Sequence, residues 1–412
     1  MADIKPFCSI RPGKGLEAKV AALPYDVYNR QEAKEAVKGN PLSFLNIDRA
    51  ETGLADEVDT YDPQVYERAQ QLLNSQIADG TYIRDEEPCY YLYELTMQGR
   101  SQTGIVACAS VDDYLSGVIM KHENTRAEKE ADRIRHVDTL SAQTGPIFLA
   151  YRTDTALERI KQAEKQNTPY ADFTSEDGVR HRMWQITDTD RISQIRKCFA
   201  DMDKIYIADG HHRCASAVKV SLKRRAENPG YTGKEEFNYF LSVLFADSEL
   251  HIMDYNRVVK DLNGLSPEAF LEKVREKFTV QLNGDGSKAV HCDRKGMFGM
   301  YLEDRWYVLK QIGQRSQDPV EALDVSVLQN ELLAPILNIQ DPKTDNRIDF
   351  VGGIRGLAEL ERRCHTDCRV AFCLYPTSME ELFAVADADR LMPPKSTWFE
   401  PKLRSGLFIH KI

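Results

Sequence analysis

The run Asp209-Gly210-His211-His212-Arg213 has the residue types and order of an anion site. It follows a strand-like stretch, residues 205–208, and leads into a helical pattern over 214–227. Holding an anion takes several backbone N–H groups aimed at one point, with positive charge close by. A helix N-terminus supplies unpaired amides and a partial positive dipole. Here Asp209 is expected to cap the helix, Gly210 to permit a tight turn with close backbone approach, and Arg213 to add a permanent cation. The small residues Ala215, Ser216 and Ala217 let the helix sit close to the strand below. His211 and His212 diverge by about 100° on a helix, so one can face a ligand while the other packs. The bland alternative is a turn with an ordinary cap, because Asp-Gly is common in turns. A metal held by His122, His211 and His212 is disfavoured. Adjacent histidines rarely chelate one ion from a helix start, and the sequence has no H-E-x-x-H.

A second constellation is His122-Glu123, which follows the segment 118–121 and stands just before Thr125. A carboxylate there sits at the mouth of a strand–helix junction. Within hydrogen-bond reach of a hydroxyl it could take the proton. Thr125 and Glu128 have the T-x-x-E spacing of a capping box at the start of a helix over 125–142. Ala127, Ala131, Ile134, Val137 and Leu140 keep near-helical spacing through it. Lys129, Arg133 and His136 share one face of that helix. The face could neutralise phosphates, or it could be solvated and salt-bridged to Glu130 and Asp132; the sequence favours the solvated version.

Weaker signals lie elsewhere. Phe350-Val351-Gly352-Gly353-Ile354-Arg355-Gly356 is another strand–glycine–helix junction. It could cradle an anion with help from Arg355, but it lacks the P-loop pattern, and a structural turn is the favoured reading. Cys364, His365 and Cys368 are closely spaced without a second pair at zinc-finger distance. Asp26 and Asn40 lie in polar turns that could border a substrate pocket, or could be turn chemistry alone. Lys395 could reach a phosphate or stay in solvent.

The elements that must position these groups are mixed. Residues 90–95 and 103–111 flank Gly99-Arg100-Ser101 as a hairpin. Residues 146–151, 182–187, 237–245, 251–259 and 347–351 read as strands, and 266–278 as a capped amphipathic helix. Residues 323–337 are helical until Pro335 bends or ends them. Without a steady βαβ rhythm the class is α+β, mixed sheets with helices. Seams near 115 and 248 divide the chain into an N-terminal α/β region over 1–115, a core over 116–247 and a C-terminal α+β domain over 248–412.

The composition bounds the answer. The 412 residues carry a net charge of −10, with 42% hydrophobic and 29% charged residues, and a mean hydropathy of −0.48. That balance fits a folded soluble protein and excludes a disordered chain or a membrane protein. The longest apolar stretch, residues 239–246, is far short of the ~20 residues a bilayer needs. The N-terminus has Asp3, Lys5 and Pro6 where a secretory signal would have an apolar core. Nine cysteines, an odd number, make no secreted disulfide framework, so a cytoplasmic location is expected. The acidic balance counts against nucleic acid as a partner.

The strand followed by Asp209-Gly210-His211-His212-Arg213 resembles the phosphate-binding motif of the ParB/sulfiredoxin-like fold, in the form carried by archaeal free serine kinase. His122-Glu123 resembles the pair in which that enzyme places its catalytic Glu upstream of a helix. Over nearly its whole length the chain also resembles a bacterial family of uncharacterised proteins, domain of unknown function ten-fifteen. The matching stretches are Pro24-Tyr25-Asp26-Val27, Asn40-Pro41-Leu42-Ser43-Phe44-Leu45, His122-Glu123-Asn124-Thr125 and residues 207–213, 349–353 and 392–397. The resemblance implies a ParB/sulfiredoxin-like nucleotide-binding core over 116–247. It implies Glu123 as a base, with Asp209, His211, His212 and Arg213 around nucleotide phosphates and a metal ion.

The candidate site is therefore Glu123, His122 and Asp209 for catalysis, and Gly210, His211, His212, Arg213, Lys129 and Arg133 for phosphates. No protein-held metal ligand is assigned. The expected function is phosphoryl transfer from ATP or ADP, with Mg²⁺, to the hydroxyl of a small metabolite such as free serine, with no membrane partner. The rivals are a nucleotide-binding regulatory protein of the ParB-like superfamily without turnover, and a metal-dependent hydrolase built on the histidines.

Overall fold

The apolar runs of the chain become the strands of two large sheets. In the computed structural model, which describes residues 1–125 and 127–412, the first sheet has nine strands. They are β1 (Ile4–Lys5), β2 (Tyr90–Met97), β3 (Arg100–Ser110), β4 (Ile119–Met120) and β5 (Ile147–Tyr151). After them come β6 (Ala171–Thr174), β7 (Arg180–Ile186), β8 (Ile205–Asp209) and β9 (Tyr239–Ala246). The order across the sheet is β4-β8-β5-β9-β3-β2-β7-β6, with β1 beside β3. The apolar β5, and β9, whose one polar residue is the buried Ser242, lie toward the middle, where both faces are covered. The β2–β3 hairpin turns at Gln98 and Gly99, both at positive φ, as a two-residue hairpin turn demands. Most pairs are antiparallel, but β4 runs parallel to β8 and β5 parallel to β9.

Helix α1 (Pro63–Ala78) packs on α2 (Ala127–Leu140), which packs in turn on α3 (His211–Glu227). Polar ties fix these contacts. The Tyr66 hydroxyl donates to Asp132 at 2.9 Å, the Ser216 hydroxyl to the Glu130 carbonyl at 3.2 Å, and Arg224 pairs with Asp138 at 3.0 Å. The small face of α3 thus seats α2 through Ser216, where close approach to a strand is the expectation from sequence. Thr125 does not form the expected capping box with Glu128; its hydroxyl donates to Glu130 at 2.7 Å instead. Thr125 itself lies outside the helix, whose described residues are Ala127–Leu140.

The expected three domains are not found, because the seam near 115 runs through one continuous sheet: β9 pairs with both β3 and β5. The compact units are two, Met1–Leu250 with Pro401–Ile412, and His251–Glu400. The last twelve residues therefore belong to the first unit, where His410 and Lys411 pair with Gln143 and Ala142. The second unit has a six-stranded antiparallel sheet of β10 (Tyr255–Val259), β11 (Phe278–Leu282), β12 (Met297–Leu302), β13 (Arg305–Gln311), β14 (Ile348–Gly352) and β15 (Val370–Leu374). Its order is β11-β13-β12-β15-β10-β14, and α4 (Leu357–Thr366) packs over it. The whole is a mixed α+β structure. Among the described residues no helix is long and apolar enough to cross a membrane.

Candidate functional site

Parallel pairing of β4 with β8 sets Ile119 beside Ile205 and Met120 beside Tyr206. Their carboxyl ends therefore open at the same edge, and the residues that follow, 121–125 and 209–213, meet there. Helix α3 starts at His211, earlier than the expected 214. Its first internal hydrogen bond runs from Cys214 N–H to the Gly210 carbonyl at 2.9 Å. The amides before Cys214 have no carbonyl one turn back to meet, which leaves the positive end of a 17-residue helix at this corner.

Asp209 does not cap the helix. The cap position belongs to Gly210, at φ 93°, and no side chain caps there. Asp209 turns back on itself: Oδ1 accepts the Gly210 N–H at 2.7 Å, and Oδ2 accepts from Lys402 Nζ at 2.9 Å. Burial opposes its ionisation, but Lys402 and Arg213 outweigh that and hold the carboxyl well below the usual range. Lys402 carries no signal in the sequence, since 193 residues separate it from its partner.

His211 is buried and joins the two segments. The His122 backbone N–H donates to its Nε2 at 3.4 Å. That leaves the proton of the neutral ring on Nδ1, which faces Glu123 Oε2 at 3.9 Å. Burial, together with His212 and Lys121, brings the His211 pKa down to about 4 against the pull of Asp209, so the ring is neutral at pH 7. Glu123 keeps a third of its side chain exposed, 33%. Among the described residues it is the carboxylate of this corner that reaches solvent with no ion-pair partner other than His211.

His122 is 0% exposed and stands edge-on to His211, ring centroids 4.4 Å apart. Burial, then His211, lowers its pKa to about 3. Neither ring nitrogen has a hydrogen-bond partner of good geometry among the described residues, although the Ile207 backbone lies near enough to favour the charged ring slightly. A side chain sealed this way packs behind His211 and does not reach a substrate. His212 is half-buried on α3, and its charge acts on Glu130. Arg213 folds over the turn: Nη1 donates to the Pro146 carbonyl at 2.6 Å, and a Cβ built on Gly210 would stand 3.1 Å from Nη2. His211 thus leans to the β4 side of β8, and Arg213 to the β5 side.

The expected solvated face of α2 is not solvated. Arg133 and His136 are buried, and only Lys129 is exposed. Arg133 donates Nε to Asp132 Oδ2 at 2.8 Å and lies 3.9 Å over the Tyr25 ring. His136 Nε2 stands 3.2 Å from the Ile47 carbonyl, and burial lowers its pKa to about 4. The reason is α1 and the segment 24–51, which cover this face. Lys129 and Arg133 consequently line a neighbouring cleft instead of the Glu123 corner, and Asp26 is exposed at the same cleft. Asn40 is turn chemistry: Nδ2 donates to the Lys19 carbonyl and Oδ1 accepts from Leu42 N–H. Among the described residues no group of three or more His, Cys, Asp or Glu side chains is placed to hold a metal ion.

The model of a family of proteins of unknown function, DUF1015, matches residues 4–326. The chain belongs to that family. A search of the curated proteins gives no significant match. Three solved structures resemble this DUF1015 chain distantly. A free serine kinase variant in complex with AMP is 12% identical, with 73% of this chain and 91% of that one covered and a TM-score of 0.36. C-terminally truncated SbnI from Staphylococcus aureus is 11% identical, with coverages of 73% and 85% and a TM-score of 0.36. A conserved hypothetical protein from Pyrococcus furiosus is 13% identical, with coverages of 74% and 94% and a TM-score of 0.34. In the DUF1015 chain the stretch containing Tyr25 comes beside the Asp209–Arg213 turn. Both Arg133 and Arg213 act on the Tyr25 hydroxyl, whose pKa burial pushes up to about 12.

Proposed function

We propose that the chain is a phosphotransferase that moves a nucleotide phosphoryl group to the hydroxyl of a small metabolite. The observation that carries this reading is the meeting of Glu123 with the N-terminal turn of α3 through His211, at the carboxyl ends of two neighbouring parallel strands. Open α/β sheets bind ligands at such ends. The start of α3 would receive the donor phosphates on its amides, with Arg213 adding charge at one flank. Glu123, turned by the Nδ1–H of His211, would accept the proton of the attacking hydroxyl. As the new O–P bond forms, the P–O bond to the nucleotide breaks and the electron pair leaves on the nucleotide oxygen. Transfer of this kind depends on positioning and charge stabilisation, which a small constellation can provide.

The side chains present do not form a protein-built magnesium site, because both oxygens of Asp209 are engaged by Lys402 and Gly210. No step is therefore derived through the ion. A ParB/sulfiredoxin-like core, a cytoplasmic location and a preference for serine belong to this same reading.

The test is incubation of purified protein with ATP or ADP, Mg²⁺ and a pool of small alcohols and amino acids, read by mass spectrometry. A phosphorylated product is expected. Glu123→Gln should keep nucleotide binding and lose roughly 10²-fold or more of the transfer rate. Unchanged turnover in that variant would remove Glu123 from the mechanism, and nucleotide binding without any product would favour a regulatory protein.

A further inference from the structure

The cleft beside α2 is lined by Arg49, Lys129 and Arg133 together with Asp26, Asp48, Glu51 and Asp132. It encloses about 190 Å³, below the roughly 300–1,000 Å³ that drug-sized ligands occupy, and so suits a metabolite better than a nucleotide. Arg133 forms part of its wall and is 7% exposed. One edge of the guanidinium is spent on Asp132 through Nε and Nη2, both at 2.8 Å. The third nitrogen, Nη1, has no partner among the described residues and is not sealed from solvent. Tyr25, packed over the guanidinium plane at 3.9 Å, holds that plane still.

The acids around it are mostly committed. Asp132 serves Arg133 and the Tyr66 hydroxyl, Glu51 pairs with Arg49 at 2.6 Å, and Asp48 accepts the Thr144 hydroxyl at 3.0 Å beside His136. Asp26 is exposed at the cleft. Lys129, also exposed and without an ion-pair partner among the described residues, adds a free positive charge. A second, smaller cavity shares Tyr25, Asp48, Arg133 and His136 with the first and extends to Arg213 and Gly145. Tyr25, Asp48, Arg133 and His136 thus form a wall common to the two cavities, and the smaller one borders Arg213 of the turn that would hold the donor phosphates.

We propose that this cleft binds a small carboxylate, of the hydroxy acid or hydroxy amino acid class. Arg133 is the buried donor and Lys129 the exposed charge. That such an acid also serves as the phosphoryl acceptor rests on the phosphotransferase reading; the binding of a small carboxylate does not.

Isothermal titration of the full chain with D-glycerate and L-serine, and with their carboxylate-free counterparts glycerol and ethanolamine, each with and without ADP, tests it. At least one acid should bind, and its counterpart about tenfold more weakly or worse. Arg133→Lys, which keeps the charge and removes the fork, should weaken that acid about tenfold. Lys129→Gln, at an exposed position with no structural partner, should weaken it about twofold to threefold. Binding of neither acid overturns the proposal, as does equal binding of acid and counterpart. A loss confined to ADP affinity in the two variants also overturns it, and would make the cleft a phosphate site. Acid binding that passes these tests without any phosphoryl transfer would sink the kinase reading and leave the cleft standing. Transfer to glycerol or ethanolamine as fast as to the acids would leave the kinase reading standing and separate the acid of this cleft from the acceptor.

Discussion

Two strand–glycine–helix junctions look alike on paper and differ in what surrounds them. At β8–Gly210–α3 the helix begins one residue after the glycine and runs 17 residues. Its neighbours are a neutral buried histidine and an accessible carboxylate. At β14 the chain passes through Gly352 and Gly353 into a short 3₁₀ turn, and α4 begins only after Gly356. The Gly353 N–H donates to the Asp254 carbonyl at 2.7 Å. A Cβ built on Gly353 would clash with Asp254 Oδ1, so a carboxylate lies against the backbone where an anion would have to approach. Arg355 is exposed and stands 4.0 Å from Glu359 of α4. Glycine thus admits the Arg213 guanidinium at one junction and an acid at the other. The neighbour decides whether such a turn can take phosphate.

That contrast can be broken or sharpened by experiment. The largest expected effect is on acid stability, because only the first junction carries buried neutral histidines. The His211 pKa falls from 6.5 to about 4 on folding, and that of His122 to about 3. Between pH 6.5 and 4 the unfolded ring binds a proton that the folded ring refuses. Stability is therefore fully present above pH 6.5 and declines as the pH falls, by about 3 kcal/mol for His211. Melting curves from pH 7 to 4 should show this slope, and His211→Gln should make it shallower, the remainder belonging to His122, His136 and His181. A variant with the wild-type slope would deny the burial argument.

Next in size are the glycines themselves. Gly210→Ala must hold a side chain at φ 93° against Arg213, at a cost of about 1–3 kcal/mol. It should weaken nucleotide binding along with stability. Gly353→Ala meets Asp254 instead and should cost a similar amount in the second unit with nucleotide affinity unchanged. Titration calorimetry and thermal melts on both variants separate the two junctions; equal losses of affinity would erase the distinction.

The smallest contrast is between the arginines. Arg213→Ala should lower nucleotide affinity about tenfold, as loss of a charged hydrogen-bond donor does. Arg355→Ala, in solvent, should stay within about 0.5 kcal/mol of wild type in stability and bind nucleotide normally. Unchanged affinity on removing Arg213 would refute the phosphate assignment.

Some of this architecture was legible in the residues alone. The β2–β3 hairpin follows from apolar runs around a glycine turn, and α2 from the spacing of Ala127, Ala131, Ile134, Val137 and Leu140, because both depend on neighbours a few positions away. The fate of Arg133 and His136 did not follow. A charged helix face reads the same whether water or another segment covers it, and here α1 and the segment 24–51 cover it. The Asp209–Lys402 pair was equally silent, since a terminal segment returns across the chain to make it.

What the sequence determined by itself is the local unit, a strand running through a glycine turn into a helix; that the helix opens at His211, with Gly210 and not Asp209 at its cap, came from the structure. Steric limits on φ and helical periodicity act within a few residues and need no tertiary partner. That Glu123 stands beside it was decided only by the fold. His122 and His211 lie 89 residues apart and meet because β4 runs parallel to β8. A parallel pair is closed by a long crossover whose geometry no short stretch of sequence encodes.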